Sequence, residues 1–124
     1  MSEVAELERA LAEAAVAMAG VPDADPRQQE LVAHAGAAAV RSFRRFEAHT
    51  VSLRPQGGTP DPLRDLRHDV RSAAQTVLAQ LEMISLAWSS WNAAMRSEIL
   101  DDLGDSERRL AADVDRCITR SEGG

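Results

Sequence analysis

Residues 61–88 read DPLRDLRHDVRSAAQTVLAQLEMISLAW. Leu63, Leu66, Val70, Ala73, Val77, Ile84 and Ala87 fall on one heptad stripe, with Leu81 beside it. Such recurrence marks a helix with a single apolar seam, not a strand. Asp61-Pro62 is a start signal: Asp caps free N–H groups, and Pro at the first helical position gives up no donor the helix needs. The helix is expected to reach Trp88, after which Ser89, Ser90, Trp91 and Asn92 form a polar turn with a tryptophan on either side. Leu100, Leu103, Leu110, Val114 and Cys117 then mark the apolar side of a further helix that runs to about Arg120.

The same grammar holds upstream. Val4, Leu7, Leu11, Ala14 and Met18 form one stripe of a helix over 2–19, stopped by Gly20-Val21-Pro22-Asp23. Asp25-Pro26 opens a second helix, whose stripe is Val32, Gly36, Ala39, Phe43, Phe46, Thr50 and Leu53. Its small residues would let a neighbour come close. It ends in Arg54-Pro55-Gln56-Gly57-Gly58-Thr59-Pro60, the strongest helix-breaking stretch of the chain. The expected organisation is all-α: a first hairpin over 1–54, a Pro/Gly linker at 55–60 and a second hairpin over 61–124. One hairpin has too little surface to bury alone, so four helices are needed to close a core. We expect a four-helix bundle completed by homodimerisation; the alternative is a bundle in which the chain's own first hairpin takes the partner's place.

Composition agrees with helices and narrows the function classes. The chain has 124 residues, 3% aromatic, without Tyr, and carries a net charge of −6 with Arg as its only Lys/Arg-type base. An acidic chain is not a general nucleic-acid binder, because such affinity rests on positive surfaces. Arg41, Arg44, Arg45 and Arg54 therefore read as a solvated helix face. Cys117 is the single cysteine, which rules out an internal disulfide and offers no Cys-based metal site. His34, His49 and His68 include no His-x-x-x-His pair, so neither metal nor cofactor is expected. No leader-like start and no apolar run of the roughly 20 residues that span a bilayer are seen, so the expected compartment is the cytoplasm, without membrane contact.

His68 is the histidine with a setting. It lies two residues from both Leu66 and Val70, so at about 100° per residue it points well away from the seam. The outer stripe through it collects Arg64, Ser72, Gln75, Ala79 and Glu82, a polar face with a small residue in its middle. An ordinary surface histidine would look the same by periodicity alone.

The local sequence adds to that reading. Leu66-Arg67-His68-Asp69-Val70-Arg71-Ser72, running into Ala73-Ala74-Gln75-Thr76-Val77-Leu78, resembles the phosphoacceptor box of histidine kinases. That pattern is His, an acidic residue, an apolar residue, Arg, then Thr, Asn or Ser, entering an apolar helix. Residues 109–123, RLAADVDRCITRSEG, are similar to the close of the second helix in the same family's dimerisation and histidine phosphotransfer domain. About forty residues separate His68 from this Arg109-Leu110 pair. Together the matches cover Leu63 to Gly123, half of the chain; the histidine box is the more specific of the two.

The resemblance implies that His68 accepts a phosphoryl group, that Asp69 polarises its imidazole, and that Ser72 positions water for dephosphorylation. Without the resemblance, Asp69 is a helix-surface charge pairing with Arg67 or Arg71, and Ser72 a small exposed residue. Arg64, Arg67, Arg71, Gln75 and Ala79 are the expected partner-binding residues, the arginines suited to an acidic pocket or a phosphoryl group. The sequence departs from the family at Ala73, where Pro is common, so the helix should be straighter there. It also carries no Gly-rich lid or Asn-bearing nucleotide box, so no self-contained kinase activity is expected.

The leading expectation is a two-component phosphotransfer module in which His68 exchanges a phosphoryl group with the aspartate of a response-regulator receiver domain. The alternative is a non-catalytic helical interaction protein that binds or mimics a histidine kinase hairpin. A helical sensor with a ligand between its helices is weaker, because Ala-rich stripes favour close helices over a cavity.

Overall fold

The computed structural model describes residues 3–17, 24–51 and 63–122. They form four α-helices and one short 3-10 turn: α1 (Glu3–Ala17), α2 (Pro26–Val51), α3 (Arg64–Ala87), the turn Trp88–Ser90, and α4 (Ala93–Glu122). No strand occurs among the described residues. The Gly20–Asp23 stop, Met18, Leu53, the 55–60 linker and the Asp61-Pro62 start lie outside them.

Local signals set the helix ends that are described. The Asp25 carboxylate accepts a hydrogen bond from the Gln28 N–H (2.8 Å), and the Gln28 side chain accepts one from the Asp25 N–H (3.1 Å). This reciprocal capping box satisfies two donors at the head of α2. At the other hairpin the chain tightens into a 3-10 turn at Trp88 before α4 begins. There Asn92 Oδ1 accepts from the Met95 N–H (2.9 Å) and Ser90 Oγ donates to the Ala87 carbonyl (2.7 Å). Asn92, just past Trp91, is thus the N-cap of α4.

The four apolar stripes meet in one core. Leu11 comes from α1; Val32, Ala35, Ala39, Val40, Phe43 and Phe46 from α2; Val70, Ala73, Ala74, Val77, Leu81 and Ile84 from α3; Leu103, Leu110, Val114, Cys117 and Ile118 from α4. The Phe43 and Phe46 rings lie 5.7 Å apart, tilted by 40°, an arrangement aromatic pairs favour. Leu66 and Leu100 are half-buried at the margins of their stripes. Trp88 is buried at the end of the core, and the Arg96 guanidinium covers its ring at 5.0 Å while donating from Nε to the Trp88 carbonyl (3.0 Å).

Around the bundle the order is α1, α2, α4, α3, with α2 and α3 on a diagonal. Both hairpins are antiparallel. The Arg45–Asp115 ion pair and the His49–Ser121 hydrogen bond show that α2 and α4 run side by side in the same sense. Ser121 Oγ donates to the Ile118 carbonyl (2.8 Å), so it accepts from the His49 ring. Glu8 on α1 meets Arg44 at 2.7 Å. These contacts put the start of α1, the end of α2, the start of α3 and the end of α4 at one pole; the Trp88–Asn92 turn is at the other. Of the two closures left open by the sequence, the structure shows the first hairpin packed on the second within one chain.

Asp25→Ala removes the cap and should lower stability by about 1 kcal/mol in urea denaturation, whereas Leu81→Ala empties a core position and should cost roughly 2–5 kcal/mol. Burial raises the Glu47 carboxyl above its ordinary range; Glu8 adds in the same direction and Arg44 opposes it. The folded state therefore holds the Glu47 proton more tightly than the unfolded chain, and stability contributed by this group falls as pH rises through the carboxylate range. Glu47→Gln should be more stable than wild type at pH ~7, with the difference shrinking as pH falls and vanishing only well below pH ~4, where the wild-type carboxyl is protonated in both states.

Candidate functional site

The geometry of α3 divides its surface into three strips. Val70, Ala73, Ala74, Val77, Leu81 and Ile84 face the core. His68 lies on the opposite side, and it is exposed together with Arg64, Ser72, Gln75, Ala79 and Glu82, the whole outer stripe. The third strip is the flank towards α4, where Asp69, Ser72, Ala73 and Thr76 line a pocket of about 210 Å³ with Ser106 and Arg109 of α4.

This pocket joins the two sequence stretches. Asp69 and Ser72 come from the histidine box, and Arg109 opens the stretch at 109–123. Its lining offers one carboxylate, three hydroxyls and one guanidinium. Thr76 Oγ1 also donates to the Ser72 carbonyl (3.0 Å), the usual way a mid-helix Thr satisfies its hydroxyl. A guanidinium beside hydroxyls suits phosphoryl oxygens or ordered water, since Arg presents paired donors in one plane. His68 itself is not among the lining residues; it stands one position along the helix, turned about 100° outward.

Arg67 and Arg71 do not share the outer stripe with His68. Both are half-buried on the flank turned away from α4, and both have interactions of their own. Arg64, Gln75 and Ala79 are exposed on the same strip as His68. Of the arginines expected to meet a partner, Arg64 is the one presented beside the histidine.

Sequence reasoning missed the α4 side of the site. Ser106, Arg109, Asp113, Arg116 and Arg120 recur at spacings of three and four, a polar stripe along the α3 seam. Asp113 is 2% exposed within it. Arg116 donates to its Oδ1, and Arg109 Nε stands 4.0 Å from its Oδ2, which accepts no hydrogen bond among the described residues. Both guanidiniums reach solvent, so the buried carboxylate is compensated from outside. Asp113 anchors Arg116 and stands beneath Arg109, the pocket's cation.

The other two histidines have different settings. His34 is exposed on α2, and His49 is half-buried against Ser121. Among the described residues no group of three His, Cys, Asp or Glu side chains could hold a metal ion, and no helix is long and apolar enough to cross a membrane.

Arg116→Ala should destabilise the bundle by about 1–3 kcal/mol, because the buried Asp113 carboxylate loses its bonded cation. Adding Asp113→Asn should recover part of that loss by removing the charge. Arg108→Ala breaks only an exposed pair with Asp105 and should change stability by less than about 0.5 kcal/mol. Thermal melts of the four proteins check the order.

No family model, curated protein or solved structure matches the chain in any of the three comparisons.

Proposed function

We propose that this four-helix protein is a histidine phosphotransfer module, with His68 as phosphoacceptor and the receiver domain of a response regulator as its partner in the cytosol. The observation that carries the reading is the placement of His68: fully turned from the core, on a polar strip, next to a pocket formed by Asp69, Ser72, Thr76, Ser106 and Arg109.

In the proposed step the unprotonated ring nitrogen of His68 attacks the phosphorus of a receiver aspartyl phosphate. The new N–P bond forms as the acyl-phosphate P–O bond breaks, and the aspartate leaves as a carboxylate. A neutral imidazole is a competent nucleophile near neutral pH. Asp69 would favour the ring's charged form as it develops, and Ser72 would hold the water that later hydrolyses the phosphoramidate. Arg64 and Arg109 would attract the phosphoryl oxygens from the outer strip and the pocket. Ala79, the small residue of the outer stripe, leaves the approach open.

Closure of the core within one chain supports a single bundle as the proposed working unit. The resemblance to kinase hairpins supports the identity of the acceptor. In this reading the phosphoryl donor is the receiver domain.

The experiment mixes the purified protein with a radiolabelled, phosphorylated receiver domain. Acid-labile label should appear on wild type and be lost in His68→Ala, with circular dichroism unchanged; Ser72→Ala should retain label longer because hydrolysis slows. Label that persists in His68→Ala, or none from any receiver of the same organism, would overturn the proposal in favour of a non-catalytic interaction protein.

A further inference from the structure

A second surface lies at the opposite pole. Among the described residues four large hydrophobic side chains are at least about half exposed, and three of them cluster at the turn between α3 and α4: Met83, Leu86 and Met95. Leu86 is 87% exposed, on the same strip as His68 but about 27 Å along the helix, at 1.5 Å per residue. Beside it, Met83, Trp91, Met95 and Ile99 form the apolar floor of an open groove of about 150 Å³ between the two helices.

The groove has an acidic edge. Glu98 and Asp102 line it, and Glu82 and Asp101 are exposed close by in sequence. Like charges at i and i+4, such as Glu98 and Asp102, repel on a helix surface. No Arg lines the groove; Arg96, the nearest in sequence, is held on the Trp88 ring and carbonyl. Methionines suit a surface that must fit a partner, because an unbranched thioether adapts to varied shapes.

We infer that this groove docks a cationic amphipathic helix, its apolar residues seated on Met83, Trp91, Met95 and Ile99 and its basic residues paired with Glu98 and Asp102. Helix-in-groove docking reads apolar anchors at i, i+3 or i+4 and i+7, the spacing that an elongated groove between two helices accepts. Charge selects against a second copy as the occupant: two chains of net charge −6 would bring the same acidic edge to each other. The site is separate from His68, so its success or failure is independent of the phosphotransfer proposal.

The test uses the full chain and two fluorescein-labelled synthetic helical peptides, one with Leu on one face and Arg on the other, and its counterpart with Glu in place of Arg. Fluorescence anisotropy should show saturable binding of the Arg peptide that weakens as salt is raised, and no binding of the Glu peptide. The double variant Glu98→Gln, Asp102→Asn should weaken binding roughly fivefold, the equivalent of two exposed ion pairs. Met83→Ser with Met95→Ser should abolish it while the circular dichroism spectrum stays helical. Equal binding of both peptides, no saturable binding, or unchanged affinity in the carboxylate variant would overturn the inference. So would a wild-type dimer in sedimentation that Met83→Ser with Met95→Ser dissociates, since the occupant would then be a second copy.

Discussion

The structure depends on covering the apolar seam of the α3–α4 hairpin. That seam offers Val70, Val77, Leu81 and Ile84 on one helix and Leu103, Leu110 and Val114 on the other, too much to leave in water and too little to bury by two helices alone. The first hairpin supplies the cover through Leu11, Val32, Phe43 and Phe46. Ala35, Gly36 and Ala39 are buried on α2, and such small side chains suit close helix packing. Trp88 then closes the end of the core that the four stripes leave open, with Arg96 shielding its outer face.

Once α3 is fixed by its seam, the remainder of its circumference is assigned. The flank towards α4 must be shared with whatever α4 offers there, and α4 offers Ser106, Arg109, Asp113 and Arg116. A buried carboxylate at such a seam is costly unless cations attend it. Arg116 and Arg109 do so from the solvent side, which is why polar groups can line the seam within reach of the core. The side farthest from the core keeps His68 free of packing constraints. For the phosphotransfer proposed above, a rigid helix with an exposed imidazole would be a better platform than a loop.

Local signals were legible in the sequence and relations between helices were not. Asp25 and Pro26 announced the head of α2 because a capping box is a short-range device, complete within four residues. The exposure of His68 followed from Leu66 and Val70, its neighbours two positions away on the seam. By contrast, the meeting of Asp69 and Ser72 with Ser106 and Arg109 depends on how α3 and α4 are rotated about their axes, which one-dimensional periodicity leaves free. Asp113 is one more acidic residue near Asp115 in the sequence, and its burial comes from a flank position that the heptad stripe does not mark. The source of the third and fourth helices covering the seam was also open, since the chain's own first hairpin and a partner's hairpin satisfy the same pattern. Leu86, 18 residues on from His68, lies on the same outer strip, but the groove beside it forms only with Met95 and Ile99 from the next helix.

The shared pole of the helix ends has a consequence for engineering. Because α1 begins and α4 ends beside the start of α3, a fluorescent tag or tether joined at either end of this bundle would sit close to His68. The Trp88–Asn92 tip points the other way. A surface anchored through the termini would therefore shade the histidine and present the methionine groove, whereas an anchor at the tip would reverse the two. Immobilisation geometry alone would select which face of the molecule a binding assay can see.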